Sequence, residues 1–151
     1  MVTRVASSYP KWKARGADEV RELVSFLFRP PLPLVVLGIS DMDMLERHFP
    51  EYSFSSGNAT RLRAGVPSRL IYTSSQGPVY SRSDHLLLRS SRFMPYRYIK
   101  PYLDTTIFRS RVMFLNEAEG TVIAEAIESE ELARKMTGVF ERLWVQAGIT
   151  T

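Results

Sequence analysis

The stretch LVVLGISDMDMLERHF, residues 34–49, decides the fold class. It opens on a continuous apolar run rich in β-branched side chains, preceded by the prolines of RPPLP and interrupted only by Gly38. A run of this length between such boundaries reads as a buried strand, of the kind found in parallel sheets covered on both faces. Ser40 or Asp41 is placed to cap a helix directly after it, because a short polar side chain accepts from the free N–H groups of a first helical turn. Met44, Leu45 and Phe49 then share one side of this short helix, which ends at Pro50. Upstream, GADEVRELVSFLFR (residues 16–29) carries Val20, Leu23, Val24 and Leu27 at helical spacing. Asp18 and Glu19 stand in its first turn, where the helix dipole favours them. Helix, strand, helix predicts an α/β domain.

Downstream the elements are shorter. A weak helix is expected near 54–64 and a second strand at RLIYT, 69–73, followed by a loop through the Gly-Pro step of SSQGPVYSRS. Ser83 or Asp84 is expected to cap a short basic helix over DHLLLRSSRF, 84–93, stopped by Pro95, and PYRYIKPYL reads as irregular. Beyond it the period becomes two. TIFRS, RVMFLN and TVIAEAI are short strands separated by turns, an antiparallel meander. Ser129 caps a closing helix whose stripe comprises Leu132, Ala133, Met136, Phe140, Leu143, Trp144 and Ala147, with Gly148 expected as the residue just past its end. Phe140, Leu143 and Trp144 are assigned a structural role, clamping this helix onto the strands that end at Ile127. The expected architecture is a mixed β-sheet flanked by helices, with a single domain over 12–148 and tails at 1–11 and 149–151.

Composition agrees with one self-sufficient domain. A chain of 151 residues with 44% hydrophobic and 24% charged side chains can build a core without staples. Cysteine is absent, which excludes disulfides, thiolate catalysis and Cys-ligated zinc, and fits the cytoplasm. No apolar run approaches the roughly 20 residues of a membrane span, and no membrane partner is expected.

The catalytic repertoire is thin. Histidine occurs only as His48 and His85, neither at metal-ligand spacing, so no metal site is expected. GxSxG, GxxxxGK[ST] and GxGxxG are absent, and the serines of YSFSSGN and YTSSQGP lie in loops with no histidine nearby in sequence. Asp41 and Asp43 follow a strand, where α/β proteins often place ligands, but helix capping accounts for them. The sequence offers no catalytic residue and no cofactor motif, and the expectation is that the chain is not an enzyme.

Charge is distributed unevenly. Residues 1–60 hold seven Lys or Arg against seven Asp or Glu, whereas 61–111 hold ten against two, a balance of +8. Residues 112–151 hold three against seven, a balance of −4. Sixteen of the twenty basic residues are arginine, whose planar fork suits carboxylate or phosphate better than a point charge does. Arg61, Arg63, Arg69, Arg89 and Arg92 are therefore the candidate ligand-binding residues, with Arg97 beside them and Tyr96, Tyr98 and Tyr102 able to stack on a base or sugar. The competing reading pairs these arginines with the acidic last third of the same domain.

The order of these pieces resembles the C-terminal domain of TrmB-type transcriptional regulators. The resemblance rests on RxxxG at 61–65 before a strand, Arg89, Arg92 and Pro95 as R-x-x-R-x-x-P, the two-stranded turn at 107–115, the strand leading to a capped helix at 121–129, and F-E-x-L-W at 140–144. WKARGADEVRELVSFL resembles the helix that opens the same domain, so the likeness runs from about residue 12. It implies one half of the phospholipase D fold, used as a sensor or dimerisation unit beside a DNA-binding winged helix. The HxKxxxxD motif of the hydrolytic phospholipase D group is absent: His48 is followed by FPEY and His85 by LLLR. With so few residues before Trp12 no winged helix is expected here, and no sugar-binding residue is carried over. The expected function is a ligand-sensing or dimerisation domain of a transcriptional regulatory system. It would bind an anionic small-molecule effector through the arginine group, as a homodimer or beside a separate DNA-binding subunit. The alternative is direct nucleic-acid binding through 61–111, and a third reading is a degenerate phosphodiesterase.

Overall fold

The computed structural model describes residues 2–5, 8–50, 59–99 and 104–150, with side chains to Gly148. Eight strands form one mixed sheet: β1 (Thr3–Val5), β2 (Lys11–Arg15), β3 (Val36–Asp41), β4 (Ser68–Thr73), β5 (Arg89–Phe93), β6 (Asp104–Phe108), β7 (Arg111–Ala118) and β8 (Thr121–Glu128). Their order across the sheet is β1-β2-β8-β7-β6-β3-β4-β5. The direction changes at β3, which runs parallel to β4 and antiparallel to β6. The meander expected from the last strands is present as β6, β7 and β8. It continues antiparallel through β2 to β1, so that within 1–11 Thr3–Val5 and Lys11 belong to the sheet.

The helices cover the two faces separately. Helices α1 (Ala17–Leu27) and α2 (Met42–His48) lie on one face, where Leu23, Leu27, Leu45 and Phe49 meet Met113, Leu115 and Val122. Helix α3 (Ala59–Arg63) leads from there into β4, and α4 (Tyr96–Ile99) is a single turn after β5. Helix α5 (Glu130–Thr150) crosses the other face over β3 to β7. There Phe140, Leu143 and Ala147 meet Leu37, Ile39, Ile71 and Val112. The period-two alternation of β3 explains both contacts: Leu37 and Ile39 point to α5, and Val36, Gly38 and Ser40 to α1. No helix among the described residues is long and apolar enough to cross a membrane.

Two local expectations are corrected. The basic helix expected over 84–93 is instead the end of a 3₁₀ segment, Pro78–Leu86, followed by strand β5. Leu88 adopts φ +46°, which breaks any helix between them. The Asp84 carboxylate accepts from the Ser91 N–H at 2.8 Å and from Arg89 Nε–H at 2.7 Å, folding the chain back so that Ser68 to Tyr72 of β4 can pair with Arg89 to Phe93. The unpaired edge of β4 supplies what the composition of RSSRF does not advertise.

Gly148 does not terminate α5, which continues to Thr150. Its small size has another consequence: Arg92 Nη1 reaches over it to donate to the carbonyl of Trp144 at 2.6 Å. A Cβ on Gly148 would stand 2.6 Å from the same nitrogen. The Ser129 cap is present, Leu132 N–H donating to its hydroxyl at 3.1 Å. Asp41 caps α2 by accepting from the N–H groups of Asp43 at 3.0 Å and Met44 at 3.3 Å. Residues 54–58 of the weak helix expected near 54–64, and Tyr102, lie outside the described residues.

Candidate functional site

On the α1 face, the strands present unusually short side chains next to one another. Register aligns Gly38 with Leu70 and Thr106, and Val36 with Ser68, while Ser40 continues the same row. Between this floor and the helices lies a cavity of about 580 Å³, roofed by Val24 and Ser25 of α1, by Phe28 just past its end, and by Met42 and Leu45 of α2. Its lining is mainly apolar. Arg21, Arg61, Arg69 and Arg89 also line it, and no carboxylate does among the described residues. A chamber of this size, apolar with a few placed polar groups, has the proportions of a small-molecule site.

The arginines are held from the protein side. Arg61, itself 7% exposed, donates from Nη1 to the Val66 carbonyl at 2.8 Å and from Nη2 to the Leu87 carbonyl at 2.5 Å. It thereby ties α3 to the entrances of β4 and β5. Burial, and then the neighbouring charge of Arg89, lower the Arg61 pKa from its ordinary value. Arg89 is fixed by Asp84 and by donating to the Tyr80 carbonyl at 2.7 Å. Asp84 thus pairs with Arg89, and Asp18 with Arg21 at 2.9 Å, while the described lining of the cavity itself holds cations and no carboxylate, a setting that favours an anionic group.

The five candidate arginines do not converge. Arg61, Arg69 and Arg89 all line the cavity, but the guanidinium of Arg69, like that of Arg92, bonds on the α5 face. Arg69 makes a forked pair with Glu141, at 2.5 and 3.1 Å, and lies 4.6 Å from the Trp144 ring centroid. Arg92 lies 4.3 Å from the centroid of the same ring. Trp144 stacks in turn on fully buried Phe140 at 5.6 Å, and Leu143 is buried in the same core. Arg63 is exposed, and Arg97 lies 4.8 Å over the Tyr98 ring. Pairing between the basic middle and the acidic last third thus occurs at Arg69 with Glu141, and at Arg111 with Glu128 at 3.6 Å.

A second, polar pocket of about 270 Å³ opens at the carboxyl ends of β3 and β4. It is lined by Asp41, Arg47, Tyr96, Asp104 and Glu117 among others. Such strand ends are the usual ligand position in open α/β sheets. Asp104 is buried and accepts from the Asp41 N–H at 3.3 Å, and burial raises its pKa to about 8. The carboxyl is therefore protonated at neutral pH. Glu117 bonds His48 and Arg47, and these two, in that order, hold its pKa below the ordinary carboxylate value. Asp43 accepts from the Ser75 N–H at 2.9 Å, so both carboxylates of the DMD motif have structural partners. His85 is exposed, and no group of three potential metal ligands occurs among the described residues.

Gly38, Ser40, Thr106, Arg21 and Asp104 are not among the candidate site residues that the sequence offers. The available signal was the small-residue row on one face of β3, and it acquires meaning only when β4 and β6 are placed beside it.

No family model matches the sequence, and no curated protein matches it. Solved structures do. TrmBL2, an archaeal chromatin protein whose structure is described as showing a novel mode of DNA binding, superposes with a TM-score of 0.58 at 13% identity. The match covers 93% of this chain and 54% of TrmBL2, so the chain spans about half of that protein. Nuc from Salmonella typhimurium, a phospholipase D family member, superposes with a TM-score of 0.63 at 13% identity, covering 90% of this chain and 94% of Nuc. NucT from Helicobacter pylori gives 0.54 at 10%, covering 87% and 94%. These neighbours correct the expectation that the chain is not an enzyme: nearly the whole of a phospholipase D family member has this fold, so the architecture excludes no catalysis. The mixed sheet, its two helical layers and its closing helix are the phospholipase D-like fold, shared with a TrmB-type protein.

Proposed function

We propose that this domain binds a small molecule with an apolar body and one anionic group in the cavity under α1, as the effector-binding part of a transcriptional regulatory system. The observation that carries the reading is the cavity itself: about 580 Å³, mainly apolar, bordered by Arg21, Arg61, Arg69 and Arg89 and, among the described residues, by no carboxylate. A sugar would need more hydrogen-bonding groups than Ser25, Ser40, Thr60, Ser68 and Thr106 supply over that area. Likeness in fold to an archaeal chromatin protein supports the regulatory setting.

The test is a calorimetric titration with a panel of straight-chain and aryl carboxylates and the matching uncharged alcohols. Carboxylates should bind and alcohols should bind more weakly. Thr106→Phe, which fills the floor, should abolish binding while the fold is retained. Equal binding of acid and alcohol removes the role of the arginines, and undiminished binding to Thr106→Phe removes the cavity.

A second reading, nucleic-acid binding, draws support from the DNA binding described for TrmBL2 and from exposed Arg63, Arg82, Arg97 and Arg109. The +8 balance of 61–111 overstates that surface, since the side chains of Arg61, Arg69, Arg89, Arg92 and Arg111 all make bonds inside the domain. Affinity for duplex DNA should then fall with salt by roughly one log unit per log unit for each phosphate contact. A flat salt dependence would dismiss this reading.

A further inference from the structure

The end of the sheet opposite the polar pocket carries exposed leucines and arginines side by side. Strands β3, β4 and β5 all begin there, in register at Val36, Ser68 and Arg89. Antiparallel β6 ends there, Phe108 pairing with Arg111 after Ile107 has paired with Leu37. Helix α1 also ends there, because Arg111 Nη1 donates to the carbonyls of Leu27 at 2.9 Å and Arg29 at 3.2 Å.

Four leucines are exposed at this end: Leu34 is 93% exposed, Leu86 69%, Leu88 49% and Leu32 37%. Single exposed leucines are ordinary, but four on the segments that enter β3 and β5 at one end of the sheet are not. Leu88 is anchored by its backbone, its carbonyl accepting from Ser68 N–H at 2.9 Å, and its φ of +46° lies in the left-handed region. Arg29, Arg63 and Arg109 are exposed around the leucines. The contributing stretches 28–35, 63–67, 85–88 and 109–110 contain no Asp or Glu. Exposed carboxylates begin to one side, at Glu130 and Glu131, where Ser129 N–H meets the Ser110 carbonyl.

We propose that this leucine-and-arginine end docks on the surface of an anionic lipid bilayer. Leucines at loop tips gain by leaving water for the acyl boundary, and arginines among them meet the lipid phosphates at headgroup depth. A nucleic acid would pair with the arginines but leave the leucines without apolar contact. For base stacking these stretches hold no Tyr or Trp, and their one Phe, Phe28, is buried. A second copy of the same face would bring its arginines against one another, the nearest exposed carboxylates, Glu130 and Glu131, lying to one side. The proposal concerns surface docking, not a span, and does not depend on what fills the cavity.

Flotation of the full chain with vesicles tests it, using phosphatidylcholine alone and two parts phosphatidylcholine to one part phosphatidylserine. Wild type should float with the mixed vesicles. The double variant Leu34→Asp, Leu86→Asp should partition at least roughly tenfold less, with an unchanged melting temperature because both side chains are exposed. Arg63→Gln should lower partitioning about fivefold on mixed vesicles and leave the weak binding to neutral vesicles unchanged. Absence of flotation overturns the proposal. So does binding of duplex DNA that the aspartate variant retains in the absence of flotation, which would make this a nucleic-acid face. A dimer that the aspartate variant dissolves, without flotation, would make it a contact between copies.

Discussion

Asp104→Asn isolates one buried carboxyl and changes little else. Asp104 stands at the start of β6, 7% exposed, and its Oδ2 accepts from the Asp41 N–H at 3.3 Å. An asparagine oxygen can accept the same bond. Burial is the largest influence on the carboxyl, outweighing that bond and one from Ser40, and it raises the pKa from 3.8 to about 8. In the unfolded chain the group loses its proton near 3.8, so between that pH and about 8 the folded state binds the proton that the unfolded state has released. Stability must then fall as pH rises, by about 1.4 kcal/mol per pH unit across that window. The contribution is complete below the unfolded pKa and is lost as the pH climbs through the folded one. Urea denaturation of wild type and variant at about pH 5 and about pH 7.5 gives the double difference. Wild type should lose about 3 kcal/mol more than the variant over that interval. Every other titrating group cancels, because both proteins share it. Parallel pH profiles would show that Asp104 ionises as an ordinary carboxylate and that the polar pocket holds no neutral acid.

Other substitutions probe the arginines and the closing helix. Arg89→Ala leaves the largely buried Asp84 carboxylate without its cation and should cost about 3 kcal/mol, read as a lowered urea midpoint, whereas an unaffected midpoint would free Arg89 from its structural duty. Gly138→Ala, with open space around the new methyl, should stabilise α5 by roughly 0.5–1 kcal/mol. Gly148→Ala should gain less than that or lose stability, because its methyl displaces Arg92 from the Trp144 carbonyl; equal gains at both glycines would deny the contact. Trp144→Ala removes a ring that two guanidiniums contact and that stacks on Phe140, and should cost about 3 kcal/mol in thermal or urea unfolding. A variant of unchanged stability that had only lost a partner would contradict the packing role.

The extent to which the sequence discloses this fold varies along the chain. Helix α1, strand β3 and helix α2 are legible because apolar spacing, a capping aspartate and flanking prolines all agree. Strand β2 is not: Trp12 and Ala14 alternate with Lys11, Lys13 and Arg15, and five residues with three charges resemble a tail until β8 supplies hydrogen bonds. Strand β5 is hidden for the same reason, its pairing to β4 outweighing its composition. The arginine group is misleading because neighbouring positions on a strand face opposite ways. Register puts Arg89 level with Ser68 on the cavity side, and puts Arg92 level with Ile71 under α5. The cavity is the least legible feature, since it is the shared emptiness of Gly38, Ser40, Ser68 and Thr106 on three different strands.

Methionine methyl resonances test the central claim most directly, because the protein carries reporters on both faces of the sheet. Met42 and Met113 line the cavity, and Met94 is buried in the α5-side core. On titration with the tightest-binding carboxylate of the panel, the Met42 and Met113 methyl signals should shift along a saturable curve while the Met94 signal stays in place. A saturable shift at Met94 alone, or saturable binding that moves none of the three, would contradict a ligand site beneath α1.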